Sequence, residues 1–443
     1  MNNAITDCSV KRVFSMAFPL IASAFSWTLM LTCDRLMLAN FDLNVMNAVV
    51  SLGTLLFLFE YSIVSITVTT EIFAGQYNGM NKLLMAPIAT WQMLIFSACS
   101  LILFLFAGFY LSKYIIPETY YNSAGNFFKI TMCFLVFSPA TAAINGFFIG
   151  IKKPKVILFN SLFANILNIS LSYILIFGIK GNIEPRGAFG AGIATSIAIF
   201  TQFCIIFSVF LSSKYAATFG TRNYKWNKKI FLECLKIGIP SSLGLVTEMI
   251  GNYTLQMIII LLAPEYVSNH NIALNIFIFI TFLLNGMNKA ASGLAANIIG
   301  AGNLKSLSHL LKSCMQLHLL FTFLIFTLIF TYSQKIASLY TNDPKIIYYA
   351  SLTLPWVAIH FFFDGIGWII SGILTAGGDT KFTMFVTTLI IWAFRVAPIF
   401  ILLKLDVSHI AIGWMVTTLS SAIFAIIVYL RYRSMKWIKV QLS

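Results

Sequence analysis

Residues 231–303 read FLECLKIGIPSSLGLVTEMIGNYTLQMIIILLAPEYVSNHNIALNIFIFITFLLNGMNKAASGLAANIIGAGN. The stretch contains two apolar runs, and each exceeds the roughly 20 residues that a membrane-spanning helix needs. The first run nevertheless contains Glu248 and the second contains Lys289. A charge in hydrocarbon costs at least ~2.5–3.5 kcal/mol on the insertion scale, so such residues usually face a cavity or a partner. The stretch therefore predicts two spanning helices that supply ionisable groups to a polar site inside a helical bundle.

The composition of the whole chain is that of a membrane protein. The 443 residues are 59% apolar and 10% charged, with a mean hydropathy of +0.87. These values predict an all-α integral membrane protein, and apolar runs along the chain indicate twelve transmembrane helices. The seven cysteines show no metal-ligand spacing, so we expect unpaired apolar residues and no metal site.

The distribution of basic residues predicts the orientation. With the amino terminus inside, the inner segments carry seventeen lysines and arginines and the outer segments carry six. This positive-inside bias predicts a multi-pass protein of the cell inner or plasma membrane with both termini cytoplasmic. It also accounts for the net charge of +15 without a nucleic-acid partner. We therefore expect the partners to be the lipid bilayer and a small-molecule substrate, and the protein to be a monomer.

Landmarks recur at a nearly constant offset in the two halves of the chain. Pro19 and Pro240 are 221 residues apart, as are Gly79 and Gly300. Such offsets indicate an internal duplication. Parallel repeats of this kind, related by an axis along the membrane normal, are typical of transporters.

The duplication predicts two pseudo-symmetric lobes of six helices. We place the N-terminal lobe (helices 1–6) at residues 1–213, a basic cytoplasmic linker at 214–230 and the C-terminal lobe (helices 7–12) at 231–443. The linker alternates bases with aromatic residues, which favours a segment lying on anionic headgroups.

Three charged residues lie in the first two spans. Asp34 is 15 residues past Pro19, or about 22 Å of helix rise, and Glu60 lies at a similar depth. Arg35 is adjacent to Asp34. One interpretation is a cation- or proton-binding carboxylate at Asp34, with Glu60 and Arg35 lining a cavity. The other is an Asp–Arg–Glu pairing that only joins the first two spans.

The second half predicts a group of ionisable residues near mid-depth. Glu248, Lys289 and Asp364 fall at comparable depths in spans 7, 8 and 10. Lys289 would keep one carboxylate ionised and leave the other free to bind a proton or substrate. His360 shares a helix face with Asp364, which would suit a proton relay. The alternative is a fixed ion pair that specifies packing.

Several motifs resemble one transporter family from end to end. AFPL and LTCDRLML resemble its first span, AGQYNGMNK the turn after its second, and NILNISLSYILIFG its fifth. GIPSSLGLVTE resembles the seventh span with its Glu, and FFFDGIGWIISGILTAGGDTK the tenth with its Asp and the turn that follows. In order and spacing these motifs resemble the multidrug and toxic compound extrusion (MATE) family, NorM-like bacterial branch.

The resemblance implies antiport of a drug-like or metabolite substrate against Na⁺ or H⁺ by two six-helix lobes. It places Asp34, Asn168 and Thr195 at the N-lobe cation site. It places Glu248 and Asp364 at the C-lobe carboxylates. The sequence departs from the pattern at Ser172, where some members have an acid, and at Lys289, where a neutral residue is expected.

We therefore predict multidrug efflux by an ion-coupled antiporter, with Pro19 and Pro240 as hinges and no cofactor beyond the coupling ion. A flippase for a lipid-linked precursor is the alternative, because Lys289, Arg35 and Arg395 suit a pyrophosphate, whereas the acidic Glu248 and Asp364 weigh against it. An enzyme is not expected, since the chain has no HExxH or GxSxG motif. Nothing resembles the filter loop of a channel.

Overall fold

The computed structural model describes residues 7–179, 181–405, 407 and 410–439, and these residues are almost entirely helical. Within this part of the chain, eleven helices are long and apolar enough to cross a membrane. A further pair, bent by 43°, makes twelve if it forms one span. The structure thus confirms the predicted class of an all-α, multi-pass membrane protein. The seven cysteines are free thiols.

The first half of the chain contains helices α1 (Val10–Phe41), α2 (Leu43–Thr67), α3 (Thr70–Gly79), α4 (Ile88–Phe106), α5 (Ser112–Ile115), α6 (Glu118–Phe134), α7 (Phe137–Gly150), α8 (Pro154–Phe177), α9 (Gly187–Phe210) and α10 (Ser213–Phe219). The second half contains α11 (Lys228–Leu262), α12 (Val267–Gly300), α13 (Ser306–Ser338), α14 (Pro344–Ala376), α15 (Thr380–Leu389), α16 (Ala397–Lys404) and α17 (Ile412–Arg433). A π-helical turn, Ala107–Leu111, joins α4 to α5, and another, Ile390–Val396, joins α15 to α16.

The contacts divide the chain into two compact units. The N-unit is Ala22–Ser242, and the C-unit combines Met1–Ile21 with Leu243–Gln441 in its described residues. Each boundary falls inside a continuous helix, about one turn after the proline predicted as a hinge. The predicted lobes instead met at the cytoplasmic linker.

Close backbone packing explains these boundaries. In the C-unit, a Cβ on Gly286 of α12 would lie 2.6 Å from the nitrogen of Ile21, so the first half of α1 approaches α12 closely. In the N-unit, a Cβ on Gly238 of α11 would lie 2.7 Å from the Cα of Ile66. The Ser242 hydroxyl also donates to the carbonyl of Ser62 at 2.7 Å. The first turns of α1 and α11 therefore pack against helices of the opposite half of the sequence.

The bend between α6 and α7 has a local cause. Pro139 has no N–H, and its ring clashes with the carbonyl four residues earlier, so the helix breaks at residues 135–136. Beside the break, the carbonyl of Val136 accepts a hydrogen bond from the Ser97 hydroxyl of α4 at 2.8 Å. The sequence prediction of a single continuous span at 127–150 missed this break.

Polar contacts hold the predicted linker against the rest of the N-unit. The Gln92 amide donates to the Lys225 carbonyl at 2.7 Å, and its oxygen accepts from the Asn227 nitrogen at 3.2 Å. The indole of Trp91 donates to the Thr221 carbonyl at 3.0 Å. The segment predicted as a linker thus begins with α10 and is held by specific side chains.

In the C-unit, α14 is the central helix. It packs against α12, α13 and α17, and its apolar face contributes Leu354, Val357 and Phe361 to the core. The amide of Asn288 on α12 donates to the Trp368 carbonyl on α14 at 2.7 Å. This close pairing fixes the register of the two helices that carry the predicted ionisable residues.

The chain after α17 turns back onto the end of α14. Asp379 is fully buried and forms ion pairs with Arg431 at 2.7 Å and Lys439 at 2.6 Å. Trp437 is also fully buried, and its indole donates to the Tyr432 carbonyl at 3.0 Å. The Lys439 nitrogen donates to the Gly377 carbonyl at 2.8 Å. We call residues 434–439 the C-terminal strap.

Candidate ion and substrate sites

The N-unit contains a carboxylate held by amide and hydroxyl groups. Asp34 on α1 is half-buried, and Asn168 on α8 is fully buried. With the Asn168 amide oriented to satisfy its neighbours, its nitrogen donates to both Asp34 carboxylate oxygens, at 3.0 and 3.2 Å. Thr195 Oγ1 on α9 lies 3.3 Å from the other amide atom, which is then an oxygen that accepts from the hydroxyl. The structure thus brings the three predicted N-lobe residues together.

A fourth oxygen belongs to the same group. Ser172 lies one turn beyond Asn168 on α8, is fully buried and interacts with Asp34. Its hydroxyl does not reach full hydrogen-bond geometry with any partner. The carboxylate and the two hydroxyls supply oxygens that suit a hard cation or a proton, and the Asn168 N–H group donates to the carboxylate. In the described part of the chain, no group of three or more His, Cys, Asp or Glu side chains could hold a transition metal.

Glu60 has a different hydrogen-bond partner from Asp34. Its carboxylate accepts a hydrogen bond from Ser138 of α7, just after the bend that Pro139 imposes. Arg35 is exposed. The pairing of Asp34, Arg35 and Glu60 that the sequence left open is therefore not what the structure shows, because Asp34 is bound by Asn168 and Glu60 by Ser138.

The C-unit contains a second ionisable cluster, formed by Glu248, Asp364 and Arg395. Glu248 on α11 is half-buried and Asp364 on α14 is 8% exposed. The charges of both carboxylates interact with Arg395, which lies in the π-helical turn between α15 and α16. The two predicted C-lobe carboxylates are thus brought near one guanidinium that the sequence prediction did not include in the site.

His360 lies on the same face of α14 as Asp364 and is buried. Its Nδ1 is 2.8 Å from the Ser421 hydroxyl of α17, and its ring lies 4.6 Å from that of Phe277. A second buried histidine, His318 of α13, is 2.9 Å from the Phe362 carbonyl. The imidazoles therefore frame the helix segment that carries Asp364.

Lys289 is exposed on α12. Its neighbour Asn288 bonds to the Trp368 carbonyl and packs against Gly372. Lys289 is therefore level with a part of α14 about 10 Å further along the helix than Asp364, at 1.5 Å rise per residue. Its predicted role as the cation that pairs with Glu248 or Asp364 remains a prediction, and the structure brings Arg395 into that position.

The sequence prediction did not place Arg395, or the polar groups that hold it, in the site. An arginine in the middle of an apolar span was the available signal, since intramembrane charges usually mark function. The π turn that orients Arg395 has no sequence signature of comparable strength.

The fold and its buried ionisable clusters define a polytopic, all-helical membrane protein of the duplicated transporter type. The MatE family model matches residues 19–174 and 240–401, one copy in each half. The chain therefore belongs to the MATE family.

Individual relatives agree with this assignment. The chain is 32% identical over 243 residues to a probable multidrug resistance protein NorM of Photorhabdus laumondii, covering 53% of this chain and 52% of that protein. It is 22% identical to a NorM protein of Haemophilus ducreyi over 95% of this chain and 90% of that protein. The chain thus spans about half the length of the first relative.

A solved structure shows the same fold. An outward-facing multidrug resistance MATE family transporter of the MOP superfamily superposes with a TM-score of 0.87 at 17% identity, with 98% of each chain covered.

Proposed function

We propose that the protein is a secondary active antiporter that exports a drug-like or metabolite substrate in exchange for Na⁺ or H⁺. The observation that carries the proposal is the Asp34 site, in which a partly buried carboxylate is bound by the amide of a fully buried asparagine. A structural ion pair would instead place a cation against Asp34. Membership of the MATE family and the names of the relatives support export.

The chemistry of the carboxylates suggests how exchange works. An ionised carboxylate only accepts hydrogen bonds, and a protonated one gains a donor. Binding of H⁺ or Na⁺ neutralises the charge of Asp34. The hydrogen bonds that Asn168 and Thr195 can form around the carboxyl group then change. Exchange is coupled when the substrate favours the other loading state, because a ligand shifts an equilibrium only by its differential affinity.

A transport assay tests the proposal. Purified protein is reconstituted into liposomes loaded with a fluorescent lipophilic cation, and an Na⁺ gradient or a pH gradient is imposed separately. We expect gradient-driven movement of the dye with one of the two ions, and its loss in Asp34→Asn. Asp42→Asn is the matched control, because Asp42 caps α2 at a helix end by accepting from the Asn44 nitrogen.

Normal transport by Asp34→Asn, or no gradient-driven transport by the wild-type protein with any of several dyes, would contradict the proposal. Accumulation of a lipid-linked sugar on depletion would favour the flippase alternative, which none of the relatives reported above supports. We also propose a cell inner-membrane location, cytoplasmic termini and a monomer, and no enzymatic activity. A fluorescent reporter that folds only in the cytoplasm, fused after the last residue, tests the orientation.

A further inference from the structure

Arg395 occupies an unusual position in the C-unit. It lies in the seven-residue π-helical turn Ile390–Val396, and such turns often occur at functional sites because they re-aim a side chain. Its Nε donates to Ser420 Oγ of α17 at 3.0 Å, and one terminal nitrogen is 3.4 Å from Asn252 Oδ1 of α11. Two neutral groups on different helices therefore fix the guanidinium.

The hydrogen-bond partners place the guanidinium beside the carboxylates without a direct ion pair. Asn252 is four residues after Glu248 and so shares its helix face. The charges of Glu248 and Asp364 both act on Arg395. Its direct bonds nevertheless go to neutral oxygens, so the carboxylate oxygens stay available to another cation.

The net charge of the cluster indicates what Arg395 does. An arginine stays protonated in proteins. With both carboxylates ionised, Glu248, Asp364 and Arg395 together carry one net negative charge rather than two. A monovalent cationic substrate and a monovalent coupling ion would both be drawn to that single charge. Binding of one would then oppose binding of the other, which is the condition for exchange.

We propose that Arg395 determines specificity in the C-unit as a fixed counter-cation, which weakens binding of organic cations at Glu248 and Asp364 and makes substrate and coupling ion compete. This inference rests on the proposed function, since it concerns the same exchange. It predicts a site for monovalent cations that rejects dications.

Equilibrium binding of radiolabelled tetraphenylphosphonium to the purified full-length chain tests this role. We expect Arg395→Gln to bind the cation at least tenfold more tightly than wild type, because the repulsion is removed while a donor for Ser420 remains. Added Na⁺ or acid should displace the probe less completely. Arg395→Lys keeps the charge and should stay near the wild-type affinity.

A double variant tests whether the gain in affinity for the cation depends on Glu248. If the guanidinium acts through Glu248, the gain from Arg395→Gln should shrink in a Glu248→Gln background, as a double-mutant cycle measures. An equal gain in both backgrounds, or an unchanged or weaker affinity of a monodisperse Arg395→Gln protein, overturns the proposal. If that variant does not fold, Ser420→Ala decides: the guanidinium loses a neutral partner and can pair directly with the carboxylates, so we expect at least twofold weaker binding, and an unchanged or tighter affinity overturns the proposal. Absence of gradient-driven transport by wild type that still binds the probe would contradict the antiport function instead.

Discussion

The C-terminal strap provides the sharpest test of how the C-unit is held together. The change is Asp379→Asn, which preserves the shape of the side chain and removes its charge. Asp379 is fully buried and pairs with two cations, Arg431 and Lys439, whose side chains are 21% and 49% exposed. The guanidinium of Arg431 also stacks over the Phe382 ring, 4.8 Å from its centroid.

The burial of each ion-pair partner determines how much free energy of unfolding the Asp379→Asn substitution should cost. Breaking a buried ion pair costs ~3–5 kcal/mol when a charge is left buried. Here the two cations that remain can extend into water along flexible side chains, so we expect about 2–3 kcal/mol. The Lys439 pair is half-exposed, and exposed pairs contribute at most ~1 kcal/mol. Lys439→Met should therefore destabilise the protein much less than Asp379→Asn, with Arg431→Met between them.

Two measurements detect the loss of these ion pairs. The apparent melting temperature of the detergent-solubilised protein should fall by several degrees in Asp379→Asn. Limited trypsin digestion should cut the strap after Lys436, because its backbone is no longer held against Gly377. The reasoning is refuted if Lys439→Met costs as much as Asp379→Asn, or if Asp379→Asn leaves both the melting temperature and the cleavage rate unchanged.

Three further variants test close packing, the helix bend and linker docking. A Cβ at Gly150 would lie 2.6 Å from the Gly75 nitrogen. Gly150→Val should therefore lower the melting temperature, because overpacking costs ~1–3 kcal/mol. Gly53→Ala is the control, since a Cβ there would lie in open space, and it should not lower the melting temperature. Ser97→Ala removes the donor to the Val136 carbonyl and should cost ~0.5–1.5 kcal/mol of stability in a thermal-shift assay; an unchanged midpoint would show that this bond does not stabilise the bend. Gln92→Leu should speed tryptic cleavage of the predicted linker, whereas Gln202→Leu should not, and equal rates would show that the linker is held by other contacts.

The sequence by itself determined the class and the approximate number of spans, and it selected candidate site residues. Apolar runs of more than twenty residues have no stable alternative to spanning helices, because every backbone polar group in lipid must be satisfied within the segment. The same physics makes an intramembrane charge conspicuous, which is why Asp34, Glu248 and Asp364 could be selected without a structure. Their depths followed from helix rise alone.

Only the tertiary structure decided which of these groups meet. Asp34 bonds to Asn168, 134 residues later, and Glu60 bonds to Ser138. Arg395 interacts with both C-unit carboxylates, an arrangement that the sequence did not predict. Helix periodicity assigns a residue to a depth and a face, but the rotation of each helix about its axis is set by packing against its neighbours. Side-chain partners on different helices are therefore a property of the folded bundle.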